Sequence, residues 1–165
     1  MKRLRSILKK TGGLLLFLLV IIQFFRPEKN TSDYISINKV SNAFETPLEV
    51  DNILERSCSD CHSNNSDYPW YTEIQPVSWW IDHHIEEGKE HFNSDEFKNY
   101  SVKRQHHVMD EIIGEIESGE MPFDSYVWLH PGTALSIQEK EMLVNWCKGI
   151  MGEIESAHPE VLEKK

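Results

Sequence analysis

Five consecutive residues, Cys58-Ser59-Asp60-Cys61-His62, constrain this chain more than any other feature of its sequence. Two cysteines three positions apart fit one helical turn, and a histidine follows the second directly. That is the spacing of covalent haem attachment. Each thiol can add across one vinyl group of the porphyrin, and the histidine is then positioned under the iron as proximal ligand. Two other readings fit less well. A thioredoxin-like redox pair wants a βαβ setting, and no such pattern is visible. Half a zinc site would need a second Cys-x-x-Cys, and His62 adjoining Cys61 is awkward for tetrahedral chelation. The motif therefore predicts one covalent haem c, with thioethers from Cys58 and Cys61 and His62 on the iron.

The sixth iron ligand is read from what lies downstream. Met121 precedes a proline in a loop between two helical patterns, where its thioether is free to reach the distal face. Methionine opposite histidine raises the reduction potential, as an electron carrier requires. Met109, Met142 and Met151 fall inside helices and read as gap-filling core residues. The histidine alternatives are His84 and His91, seven apart on one helical face, and His130 before Pro131. His83, His106 and His107 lie in polar surroundings and read as solvated. A five-coordinate iron is the remaining possibility. Trp70 and Trp80, with Tyr71, Trp79 and Trp146, are candidates to wall the porphyrin or simply to fill the core. Three cysteines are too few for a disulfide scaffold. Cys147, on an apolar helical stripe, reads as a small buried residue.

Around the motif the periodicity is helical throughout, so the expected fold is all-α. Thr46, Pro47 and Glu49 look like a cap, first position and capping box for a helix that carries both thiols on its inner face. Val50, Ile53, Leu54, Ser57, Cys58 and Cys61 form that face. Pro76 opens a second helix with Val77, Trp80, Ile81, His84 and Gly88 on one stripe. Ser101 caps a third, lined by Met109, Ile112, Ile113 and Ile116 and stopped at Gly119. Ser136 to Glu139 is a second capping box, ahead of Leu143, Trp146, Cys147 and Ile150. A chain of 165 residues has room for one such domain and an appendage. The expected division is a basic head and membrane segment over 1–25, a polar linker over 26–45, the haem-binding domain over 46–152 and a charged tail over 153–165.

The head carries Lys2, Arg3, Arg5, Lys9 and Lys10, and fifteen uncharged residues follow from Thr11 to Phe25. A basic region before an apolar run reads as a signal or an uncleaved anchor. The run is short of the ~20 residues a spanning helix prefers, and bulky Gln23-Phe24-Phe25 offers no small-residue cleavage site. The expectation is a single-pass anchor in the inner membrane, with the body on the periplasmic side. Residues 1–29 have a net charge of +6 and residues 30–165 of −16. A body that acidic repels phosphate backbones, which argues against nucleic-acid binding. It favours redox partners with a cationic docking patch.

Taken together, these residues resemble a family of small bacterial haem-binding-domain proteins related to monohaem cytochromes c. The likeness runs through Gln23-Phe24-Phe25-Arg26-Pro27, the Cys-x-x-Cys-His element, Tyr68-Pro69-Trp70-Tyr71 and Ile74-Gln75-Pro76-Val77-Ser78-Trp79-Trp80. It continues with His84, Gly88 and His91, Gly119-Glu120-Met121-Pro122, Tyr126, His130-Pro131, Leu135-Ser136 and Trp146. The resemblance implies a covalent haem, a membrane anchor and an extracytoplasmic site. Similarity to the wider cytochrome c fold implies a first helix crossing the last and a Met-Pro loop over the iron. Cys147 and the long second helix depart from that pattern. The function expected is a monohaem c-type cytochrome passing single electrons, not an enzyme. The alternative is a haem-based sensor or gas-binding module with an open or displaceable sixth site. A peroxidase is disfavoured, because only one attachment motif is present.

Overall fold

A computed structural model describes residues 2–162. The described residues are helical, with no strand among them. In chain order the helices are α1 (Lys2–Ile22), α2 (Leu48–Ser57), α3 (Ser59–His62), α4 (Val77–His91), α5 (Val102–Ser118), α6 (Asp124–Leu129) and α7 (Ile137–Ala157).

The core is built on α5 and α7. Val108, Met109, Ile113 and Ile116 from α5 meet Leu143, Val144, Trp146, Cys147, Ile150 and Ile154 from α7, and α2 adds Val50, Ile53 and Leu54. Local signals set the limits of the two long helices. The Ser101 hydroxyl accepts from the Arg104 amide at the start of α5, and Gly119 ends it at φ 81°, the left-handed conformation that favours glycine. Ser136 and Glu139 form the expected reciprocal box at the start of α7. The other expected box is absent. The Thr46 hydroxyl donates to the Phe44 carbonyl instead (3.3 Å), and α2 starts at Leu48 behind Pro47 with no side-chain cap. α7 also runs further than expected, to Ala157, with Ile154 in the core. Part of the 153–165 tail is therefore helix, and residues 163–165 of that tail lie outside the described residues.

α1 corrects the expectation of a membrane-spanning segment. No helix among the described residues is long and apolar enough to cross a membrane. The reason lies in where α1 begins and ends. It starts at Lys2, so the basic residues expected to flank the apolar run occupy the first half of the helix instead. Only Thr11 to Ile22 is both helical and uncharged. Those residues span about 18 Å at ~1.5 Å per residue, against a hydrocarbon layer of about 30 Å. The rest of the uncharged run, Gln23 to Phe25, leaves the helix and is bonded to the domain. Gln23 Nε2 donates to the Gln75 carbonyl (3.1 Å) and Gln23 Oε1 accepts from the Gln75 amide (3.0 Å). The Phe25 carbonyl accepts from Gln75 Nε2 (3.0 Å) and from the Trp79 indole (2.8 Å). A single-pass inner-membrane placement, with the orientation drawn from it, is not supported.

Residues 26–45, expected as a polar linker, are also held against the domain. Arg26 pairs with Glu73 (2.8 Å), and the Asn30 amide donates to the Tyr68 hydroxyl (2.7 Å). The Ser32 amide donates to Asn65 Oδ1 (2.7 Å). Val40 sits in the core at 1% exposure.

Candidate functional site

The Cys-x-x-Cys-His element does not continue the helix before it. α2 stops at Ser57, Cys58 takes φ −129° and ψ −36°, and α3 begins at Ser59. The Ser59 hydroxyl donates to the Leu54 carbonyl (3.1 Å), a local bond that competes with helix propagation. The expectation of one helix carrying both thiols is thereby corrected: Cys58 is the junction and Cys61 rides on α3. Both are free, half-buried thiols. The Cys58 carbonyl accepts from the Cys61 (3.2 Å) and His62 (3.0 Å) amides, which makes the turn tight. Burial, then the neighbouring Cys61, pushes the Cys58 thiol up to about 12. Burial, then Asp60, pushes Cys61 up to about 11. Both stay protonated at neutral pH in the free chain. Among the described residues no three His, Cys, Asp or Glu side chains converge as a metal ion would need.

His62 is oriented from the far end of α4. Its Nδ1 lies 2.9 Å from the Gly88 carbonyl and 2.9 Å from the Phe92 carbonyl. Carbonyls only accept, so Nδ1 carries the proton and Nε2 keeps its lone pair. Burial lowers the pKa of His62, which favours the neutral ring. This is how a metal-ligating histidine is commonly held. The close approach of α3 to α4 requires Gly88: a Cβ there would stand 2.7 Å from the Cys61 carbonyl oxygen.

Beside Cys61 lies a cleft of about 540 Å³, part of it open to solvent. Trp80, Ile81, His84 and Ile85 of α4 form one wall, and Phe123, Tyr126 and His130 from the α6 region form the other. His84 Nδ1 donates to the Trp80 carbonyl (2.8 Å), again leaving Nε2 as the acceptor atom. Both nitrogens of His130 are engaged, one 2.7 Å from the Tyr71 hydroxyl and the other 3.0 Å from the Tyr126 carbonyl. The Tyr126 hydroxyl donates to Asp60 Oδ2 (2.8 Å). Burial, and then that carboxylate, holds the Tyr126 phenol protonated by raising its pKa.

The structure thus separates the sequence candidates. Cys61, Trp80, His84 and His130 share the cleft. His91 is exposed at the end of α4, and Trp70 is 76% exposed and does not line the cleft. Met121 is half-buried in the turn after α5 and is not among the cleft-lining residues, although Phe123 is. Cys147 is fully buried in the core, where burial, then nearby Cys58, pushes its thiol up to about 12. The roles of Asp60 and Tyr126 went unread in the sequence. The four-residue spacing of Tyr126 and His130 was the signal available for pairing those two on one helical face.

A family model described as a haem-binding domain matches residues 17–149. The chain belongs to the haem-binding domain family. No curated protein and no solved structure matches the chain. The match begins within α1 and ends within α7, so this haem-binding domain includes the 26–45 segment as well as the cleft. Its cofactor is haem, and the donor types present fit one: a neutral histidine with a committed Nδ1 and two protonated thiols on adjoining turns. Of these three residues only Cys61 lines the aromatic-walled cleft; Cys58 packs against the core and His62 is turned to the end of α4.

Proposed function

We propose that this haem-binding domain is a monohaem c-type cytochrome that carries single electrons, with Cys58 and Cys61 as thioether anchors and His62 as an axial ligand. The observation that carries the reading is the His62 ring, which is half-buried, neutral and tied through Nδ1 to two backbone carbonyls. Only its Nε2 is left to ligate. When bound, haem supplies a one-electron redox centre. The chain's own part is to hold it, orient it and limit water around it, so no acid, base or nucleophile is called for. The acidic body supports docking to a cationic patch on a redox partner, with transfer slowing as ionic strength rises.

Met121 is the preferred second axial ligand. Its turn leads into α6, which Tyr126 ties to the attachment turn through Asp60. A specific observation favours a second reading with His84 there, since it lines the cleft with Nδ1 already bonded. Absorption spectra of holoprotein decide between them, wild type beside Met121→Ala and His84→Ala. Loss of the low-spin spectrum in Met121→Ala alone supports the first, and loss in His84→Ala alone supports the second. A reversible one-electron titration of low-spin protein supports the carrier. A ferrous high-spin form that binds carbon monoxide at once makes the domain a gas-binding module instead.

A further inference from the structure

α6 has six residues and none of them is buried, yet Tyr126 within it, with Phe123 before it and His130 after it, supplies one side of the cleft. Two side-chain hydrogen bonds hold it there. Near its start the Tyr126 hydroxyl donates to Asp60 in the attachment turn (2.8 Å). At its end His130 Nε2 meets the Tyr71 hydroxyl (2.7 Å). The stretch is bounded by Gly119 at φ 81° and Gly132 at φ 98°, the two glycines with positive φ among the described residues. A segment without buried residues, bonded at two points and flanked by permissive glycines, has the makings of a hinged cover.

We propose that residues 120–131 form a strap hinged at Gly119 and Gly132, and that Tyr126 and Tyr71 are positioning residues that latch it over the haem cleft. The strap governs access of small ligands to the cofactor, and because Met121 lies on it, opening also carries Met121 away. This rests on the haem reading above, but the strap itself is a property of the chain.

Amide hydrogen exchange on the full-length chain, read with or without haem, tests the strap directly. Tyr126→Phe removes a hydrogen bond to a carboxylate, so exchange over 124–131 accelerates roughly tenfold or more while α5 and α7 keep their protection. Tyr71→Phe gives a smaller acceleration over the same residues. In haem-loaded, reduced protein both variants bind carbon monoxide faster than wild type at an unchanged thermal midpoint. Unchanged exchange over 124–131, or acceleration spread equally over α5 and α7, overturns the strap. Faster exchange with an unchanged carbon monoxide rate overturns its control of access. A chain that carries no haem overturns the reading of the site, and leaves the exchange result to decide the strap.

Discussion

The α5–α7 half of the molecule and the α3–α4–α6 half are held together by different physics. The first is an apolar seam with Met109, Leu143 and Cys147 at or near zero exposure. Its helices start and stop at sequence-local caps. The second has no buried residue on α3 or α6 and one, Ile85, on α4; besides ring contacts such as His84–Phe123, single polar contacts place its groups: His62 to two carbonyls, Tyr126 to Asp60, His130 to Tyr71. Hydrophobic burial is non-directional and cumulative, so it makes a stable platform. Directional hydrogen bonds each contribute little net stability but fix the position of an atom. The platform supplies the fold's stability, and the polar half spends some of it on placing donor atoms.

That contrast breaks most sharply at Met109. Met109→Ala removes a fully buried side chain from the platform and is expected to cost about 2–5 kcal/mol. Chemical denaturation reads the loss, and the holoprotein that remains folded keeps its spectrum. Gly88→Ala is the converse. Its new Cβ would meet the Cys61 carbonyl oxygen at 2.7 Å, so α3 and α4 must part and His62 loses its carbonyl acceptors. The expected cost is about 1–3 kcal/mol, with a disproportionate loss of haem incorporation measured as haem per polypeptide. A variant that is destabilised yet fully loaded would show that the α3–α4 approach does not position His62.

The smallest effect expected is at the start of α7. Ser136→Ala removes the cap and costs about 1 kcal/mol, leaving the spectrum untouched. Glu139 in the same box accepts from the Ser136 amide and from Arg56 (2.8 and 2.7 Å). Those bonds, the Ser136 contact first, hold its pKa down at about 2, from an ordinary value of 4.5. A carboxylate depressed in the folded state contributes stability above pH 4.5, and that contribution is lost as the pH falls toward about 2. Its size is small because the pair lies at the surface, with Arg56 exposed and Glu139 half-buried. Glu139→Gln is expected to flatten the acid limb of a stability–pH curve between those values, and an unaltered limb would remove Glu139 from the account.

The two halves also differed in how far the sequence disclosed them. The core faces of α5 and α7 followed from 3,4 spacing, because burial along a helix repeats with the backbone period. Ser101, Gly119 and the Ser136 box announced the ends of those helices for the same local reason. Cys58, Cys61 and His62 were legible as a motif, but the break at Cys58 was not, since it depends on a hydroxyl bonding back to Leu54. Nor was the Tyr126–Asp60 bond, which joins residues 66 apart in sequence. The N-terminal segment misled for a related reason. The uncharged run does not by itself disclose that α1 includes the basic head and releases Gln23 to Phe25 to bond Gln75 and Trp79.

The central claim is that sulfur at Cys58 and Cys61 holds the haem covalently with His62 beneath it. Denaturing peptide mass spectrometry of haem-loaded protein, made in a host that supplies haem-attachment machinery, tests it most directly. The account predicts one haem retained through denaturation on the peptide containing Cys58, Cys61 and His62, and none retained when both cysteines are replaced by alanine. Haem that separates from the wild-type chain on denaturation, or remains on a different peptide, would contradict it.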